Sequence, residues 1–246
     1  MKKRPNITAT TASQFKKVVQ SRRSVRKFTD ETIPDEVVND CLDMALLAPN
    51  SSNLQMWNFY RVTSPAAKKK MADYCMGQSA AKTAAELIVC TGSTRNWTKH
   101  TKMMMDYWPG GNPPNIVKTY YDKLTFLHYG AAPIDPFGIA GMAKKTVRDI
   151  VGLAQPIARW PNNEQDLQTW AAKSVALACE NMMLAFSAHG YDTCAMEGFD
   201  EARIRKLCKL KRGEFVVMVI AAGRCADNGL YHDQFRFERE RFIHEV

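Results

Sequence analysis

Three arginines and a serine lie within five residues near the start of the chain, in the run Arg22-Arg23-Ser24-Val25-Arg26. Guanidinium groups bind phosphate oxygens through paired hydrogen bonds, and a serine hydroxyl adds a further one. The cluster is therefore typical of a site for a phosphate monoester. Taken alone, it also suits a solvated basic turn, because runs of charge are usually surface features.

A second polar segment joins a helix-like stretch to a strand-like one. It reads Ala48-Pro49-Asn50-Ser51-Ser52-Asn53-Leu54-Gln55-Met56-Trp57, and most of its side chains are small and polar. Such a segment allows a flat ligand to approach the backbone closely. Asparagine and serine also form ordinary turns, so the segment by itself leaves both interpretations open.

The elements that must position these segments can be predicted from the apolar pattern. Helical spacing predicts helices, and short apolar or alternating runs predict strands. The predicted helices are Ala12–Val19, Ile33–Ala48, Asp166–His189 and Glu201–Lys211, the last capped by Asp200. The predicted strands are Trp57–Val62, Glu86–Thr91, Asp192–Met196 and Glu214–Ala222. Helices alternating with few strands indicate an α+β or α/β fold, with a mixed central sheet covered by helices.

One domain is expected for a chain of 246 residues that is 46% hydrophobic. Between Asn96 and Asn163 the pattern changes, and we interpret about residues 96–163 as a helical lid or insertion carried on this domain. Short helical stretches such as Ile116–Tyr129 are interrupted there by Pro109, Gly110, Gly111, Pro113, Pro114, Pro133, Pro136, Pro156 and Pro161.

Composition narrows the class of protein and of partner. The seven cysteines form no Cys-x-x-Cys pair and the five histidines lack ligand spacing, so we expect reduced thiols and no metal site. No apolar run is long enough for a membrane span, and a cytoplasmic location is expected. The net charge of +9 favours an anionic partner. Because the basic residues are scattered, a phosphorylated small molecule fits at least as well as nucleic acid.

Both polar segments together resemble the nitroreductase family, in which an early Arg-Arg-Ser-x-Arg and a later Ala-Pro-Ser-Ser-x-Asn-x-Gln-Pro-Trp flank bound FMN. This chain departs from the pattern at Asn50 and Met56, and neither change removes a hydrogen-bonding group. Two later stretches resemble the family in the same order, Ala195–Asp200 to Pro-x-Glu-Gly-Phe-Asp and Asp233–Phe237 to the Gln-x-Arg-Phe of one branch. The resemblance covers almost the whole chain and is weakest in the lid.

The resemblance implies a nitroreductase-like fold, an intertwined homodimer and two FMN sites at the subunit interface. The residues it implies for the FMN phosphate and ribityl chain are Arg22, Arg23, Ser24, Arg26 and Arg236, assisted by Gln234. Those it implies for contact with the flavin from the neighbouring subunit are Pro49, Asn50, Ser51 and Asn53, in the same segment as Gln55.

Three further residues are placed at the flavin ring by the resemblance. Gln78 would hydrogen-bond the ring, although a solvent-facing helix glutamine is the alternative. Because Gly198 has no Cβ, its backbone N–H can come within hydrogen-bond distance of the reactive N5 of the flavin. Glu197 would help to place the ring and the nicotinamide, or it would instead serve the start of the helix at Asp200.

The activity implied is an FMN-dependent oxidoreductase that takes hydride from NADH or NADPH and reduces nitroaromatics, quinones or related acceptors by a ping-pong mechanism. No side chain need act as a nucleophile, since FMN carries the chemistry and the protein positions the reactants. Within the family, reductive dehalogenation, flavin reduction and ene-type reduction remain alternatives. A non-catalytic flavin or nucleic-acid binder is the alternative from another class.

Overall fold

A computed structural model of the protein describes residues 9–108, 112–130, 135 and 138–246. The interruptions predicted at Pro109, Gly110, Gly111, Pro133 and Pro136 lie outside these residues. The helices are α1 (Ala9–Ser21), α2 (Asp35–Leu46), α3 (Pro65–Tyr74), α4 (Ser79–Thr83), α5 (Trp97–Asp106), α6 (Asn115–Thr119), α7 (Thr125–Tyr129), α8 (Ile139–Ala154), α9 (Glu164–Ala188) and α10 (Glu201–Cys208). The strands are β1 (Trp57–Arg61), β2 (Glu86–Ser93), β3 (Asp192–Met196) and β4 (Glu214–Gly223).

The four strands form one sheet in the order β1-β2-β4-β3, and each neighbouring pair is antiparallel. All eight residues of β2 are buried, as expected for an apolar run at the centre of a sheet. Among the described residues, parallel pairing is confined to one bridge, between Ser24 and Thr193. The α+β class and the helix-covered sheet are confirmed, and the mixed character of the sheet is limited to that bridge.

Alternate residues of the central strands face two separate layers of helices. On one face, Ile88 and Ile220 pack with α2 and α9, while on the other Leu87 and Val219 pack with α3, α4 and α10. This alternation is what the two-residue repeat of a strand requires. The sheet is thus a rigid support. Its edge strand β3 ends directly before Glu197 and Gly198, two of the predicted site residues.

The long helix α9 begins earlier than its apolar pattern predicts. Its N-cap is Asn163, whose side chain accepts a hydrogen bond from the backbone N–H of Asp166. Asp166 is therefore in the first turn and is not the first residue. Asp200 caps α10 as predicted, accepting from the backbone N–H of Arg203.

Helices from the predicted lid pack on the Ala48–Trp57 segment. Leu54 and Met56 are buried with Trp97, Tyr129 and Trp170 in a third apolar cluster. The predicted stretch Ile116–Tyr129 is helical, but its middle is a π-helical turn at Tyr120–Leu124, a feature that often marks functional sites.

The C-terminal segment 231–246 is exposed throughout, and its regular structure is one 3₁₀ turn at Arg239–Arg241. Its large apolar side chains are exposed to solvent in the single chain, at Tyr231, Phe235, Phe237, Phe242 and Ile243. Among the described residues, none of the helices has the length and apolar character that crossing a bilayer requires.

Candidate functional site

The Arg22–Arg26 run is fixed against the edge of the sheet by backbone hydrogen bonds. The N–H of Val25 donates to the carbonyl of Thr193 (3.0 Å), and the N–H of Arg26 donates to the carbonyl of Gly229 (2.7 Å). Val25 itself is fully buried. An anchored backbone of this kind holds the flanking polar side chains in place, so the run is no freely solvated turn.

The run lines a cavity of about 280 Å³ together with residues from the far end of the chain. The guanidinium of Arg23 donates to the carbonyl of His232 (2.5 Å), which ties the two ends together. The structure therefore brings six of the predicted residues around one cavity. They are Arg22, Arg23, Ser24, Arg26, Gln234 and Arg236.

Four arginines give this cavity a positively charged lining. In the described part of the chain no acidic residue lines the cavity, and none of the ion pairs formed there includes one of its four arginines. Its arginines instead donate to neutral acceptors, as Arg26 does to the sulfur of Cys194 (3.1 Å) and Arg236 to the carbonyl of Phe235 (2.7 Å). Four like charges around one small space repel one another, and a bound anion relieves that repulsion.

A second pair of predicted residues meets at the end of β3. The side-chain amide of Gln78 donates to the carbonyl of Gly198 (2.8 Å). A Cβ added to Gly198 would lie 3.3 Å from that amide nitrogen, a close contact. Glu197 and Gly198 are both exposed, so their backbone is open to a ligand.

Strand β3 connects the residues of the arginine cavity with the Gln78–Gly198 pair. Ser24 is bridged to Thr193, and Gly198 follows Thr193 by five residues, a span of at most about 18 Å of extended chain. A single ligand with a phosphate at one end and hydrogen-bonding groups at the other can reach both. The burial of Cys194 between them raises the pKa of its thiol, which is therefore protonated at neutral pH.

The Pro49–Gln55 segment is held in a strained conformation. Ser52, Asn53 and Gln55 have φ values of 57°, 50° and 47°, in a left-handed region that costs a non-glycine residue about 1–2 kcal/mol. Side chains hold it there. The side chain of Asn50 accepts from the N–H of Gln55 (2.8 Å), and Tyr121 donates to the carbonyl of Ser52 (2.9 Å). Strain maintained in this way is a pointer to function.

Within one chain this segment does not line the arginine cavity. Ser51 lies instead at a separate cavity of about 720 Å³, beside α8 and the helices before it. Pro49, Asn53 and Gln55 are exposed. Contact of this segment with a flavin held by another subunit remains a prediction.

Several residues at the second cavity were not predicted from the sequence as site residues. Tyr129, Lys144 and Arg148 line it, and the hydroxyl of Tyr129 lies 3.3 Å from that of Ser52. The available signal was the four-residue spacing of Lys144 and Arg148, which places two cations on one helix face.

A model of the Nitroreductase family matches residues 19–224 of the chain. Among individual proteins, the NADH dehydrogenase of Thermus thermophilus is 22% identical over 218 residues, which cover 89% of this chain and 90% of the relative.

Two solved structures show the same fold. Bacillus subtilis ydfN aligns with a TM-score of 0.72 at 21% identity, covering 96% of this chain and 100% of that one. A protein of Exiguobacterium sibiricum, solved in complex with FMN, aligns with a TM-score of 0.65 at 22% identity, covering 94% and 97%.

Proposed function

Because this chain belongs to the nitroreductase family, we propose that it is an FMN-dependent oxidoreductase that uses NADH or NADPH to reduce a small acceptor. The family and the names of its relatives support the reaction class. The observation that carries the proposal is the cavity at which four arginines converge and which, among the described residues, no acidic residue lines.

The donor set fits FMN. Arg22, Arg23, Arg26 and Arg236 supply guanidinium donors for the phosphate, and Ser24 adds a hydroxyl. Gln234 assists at the same end. Gln78, Glu197 and Gly198 would then hold the ring, since at most about 18 Å of chain separates them from the strand residue bridged to Ser24.

FMN bound there would supply the redox chemistry, which is hydride transfer from the nicotinamide to the acceptor. The protein positions the reactants and provides no nucleophile. The backbone N–H of Gly198 would hydrogen-bond the reactive edge of the ring, and the Gln78 amide fixes the peptide of Gly198 by donating to its carbonyl. Glu197 orients the nicotinamide. NAD(P)H and the acceptor would react with the flavin in turn, which is a ping-pong scheme, and nitroaromatics and quinones are the test acceptors.

We also propose that the chain is one FMN-binding domain with a lid at about residues 96–163. The hydrogen bonds of Tyr120 and Tyr121 to Ser52 (2.5 and 2.9 Å) support this assignment. They couple the lid to the Pro49–Gln55 segment that is predicted to contact the flavin, which we call the flavin-contacting segment. Movement of the lid would thus be transmitted to the ring.

The functional unit is proposed to be a homodimer. The exposed apolar side chains of the C-terminal segment 231–246 would be buried by a partner surface. In addition, the Pro49–Gln55 segment lies away from the arginine cavity of its own chain. Light scattering of the purified protein should give twice the 27.8 kDa chain mass. Phe237→Asp with Phe242→Asp should shift it towards the monomer, whereas Leu153→Asp, also at an exposed apolar residue, should not. A wild-type monomer that binds FMN fully would contradict the proposal.

The activity is tested by the visible spectrum of the purified protein before and after anaerobic NADH or NADPH. We expect a flavin spectrum that one or both nucleotides bleach, and that a nitroaromatic or quinone restores. A colourless protein that takes up no FMN, or a flavoprotein that neither nucleotide bleaches, would overturn the proposal.

A further inference from the structure

The second cavity is apolar over most of its wall and borders the flavin-contacting segment at Ser51. We call it the α8 cavity. Its aliphatic lining comes from the lid helices and the chain after α8, at Leu124, Leu127, Ala143, Val147 and Ile157. At about 720 Å³ it has the size of a site for a small organic molecule.

Two cationic side chains of α8, Lys144 and Arg148, line the cavity among these apolar residues. Arg148 is only 8% exposed. Its guanidinium donates to the carbonyls of Pro161 (2.7 Å) and Leu127 (3.3 Å) and to the side chain of Asn162 (3.1 Å). One turn earlier, the ammonium of Lys144 donates to the carbonyl of His128 (2.7 Å).

Neither cation is neutralised by a carboxylate at close range. Among the described residues, the ion pairs of α8 are those of Asp149 with Lys145 and Arg159. Asp166 acts on both Lys144 and Arg148 from further away, and one of its oxygens accepts from the N–H of Asn162 (2.7 Å). Burial, and then the nearby Arg148, lower the pKa of Lys144 to about 8. The α8 cavity therefore holds two like charges that an anionic ligand would stabilise.

We propose, building on the proposed function, that the α8 cavity binds the acceptor and favours acceptors that combine an apolar body with a carboxylate. The carboxylate pairs with Lys144 and Arg148, and the body lies on the aliphatic wall. Ser51 places this wall beside the segment assigned to the flavin. A nucleotide is a poorer match, because its sugar and several phosphates need polar partners along their whole length, and the wall beside the two cations is mostly apolar.

The test compares 4-nitrobenzoate with 4-nitrobenzamide, which have the same shape and differ in charge. On the holoprotein, kcat/KM for the carboxylate should exceed that for the amide by about tenfold or more, the scale of a charge-assisted hydrogen bond. Lys144→Met should lower the ratio several-fold and leave the contribution of Arg148. Lys145→Met is the matched control, because Lys145 is exposed and pairs with Asp149, and it should leave the ratio unchanged.

A calorimetric titration of the holoprotein with each compound, in the absence of NAD(P)H, separates this inference from the proposed function. Preferential binding of the carboxylate supports the inference even if neither compound is turned over. Equal binding and equal kcat/KM for the pair would overturn it. A Lys144→Met variant that changes only the KM for NADPH would also overturn it, by assigning the cations to the nucleotide.

The pH dependence of the carboxylate-to-amide ratio of kcat/KM is a readout that a purely structural role of Lys144 would not change. Lys144 must be protonated to attract the carboxylate, so the preference should be present below pH 8 and fall as pH rises through about 8. The groups facing it are Arg148, Asp166 and His128, together with Tyr120 and Tyr129 at the cavity wall. Lys144→Arg, which stays charged, should keep the preference to higher pH. A profile that is flat through pH 8 in the wild type would contradict the role of Lys144.

Discussion

Alanine at both Arg22 and Arg236 is expected to give a protein that purifies without FMN. Each residue contributes a guanidinium to the same cavity, one from either end of the chain. A hydrogen bond to a charged group is worth about 1.5–3 kcal/mol, so losing two should weaken FMN binding by roughly 10²–10⁴-fold. The measurements are the flavin-to-protein absorbance ratio and an FMN titration of the apoprotein.

The matched control is Lys206→Ala with Arg212→Ala, which removes the same charge at two exposed positions outside the cavity. That variant should keep its full FMN content. If the Arg22→Ala, Arg236→Ala protein retained wild-type colour and affinity, the convergence of the two ends on a phosphate would be the wrong explanation of the cavity.

Gly198→Val should slow reduction by NAD(P)H by roughly 10²-fold, the effect expected when reacting groups are misplaced by about 1 Å. Even one added carbon would lie 3.3 Å from the Gln78 amide, and valine adds further bulk at the edge assigned to the ring. The phosphate cavity is untouched, so the FMN content should be retained. Stopped-flow bleaching of the flavin absorbance measures the rate.

Two companion variants separate the causes. Gly198→Ala should be intermediate, because the contacted amide is the end of a flexible side chain. Gln78→Ala should reproduce the defect only in part, since it removes the support of the Gly198 carbonyl without adding bulk. Wild-type reduction rates in Gly198→Val at full FMN content would exclude close approach of this backbone to the reactive edge.

The strands were predicted well because their apolar runs are bounded by strong local signals. The strand Asp192–Met196 was predicted with its observed bounds, and Gly190 and the cap at Asp200 flank it closely. Helix ends were less accurate, since they depend on which side chain caps them. The helix predicted over Ile33–Ala48 spans Asp35–Leu46 in the structure.

The site was predictable to a different degree at each cavity. Nothing local in the sequence relates Arg22 to Arg236, and only the family resemblance joined them. The α8 cavity could not be predicted, because it depends on carbonyls of Leu127 and Pro161 meeting Arg148 across a segment broken by prolines. Such contacts are tertiary and leave no periodic signal.

The proposed function depends on the arginine cavity binding the phosphate of a flavin mononucleotide. It is tested most directly by titrating the apoprotein with FMN and with riboflavin, which has the same ring but lacks the phosphate. FMN should bind at least about 100-fold more tightly than riboflavin, as two or more charge-assisted hydrogen bonds require. Equal affinity for the two flavins would contradict it.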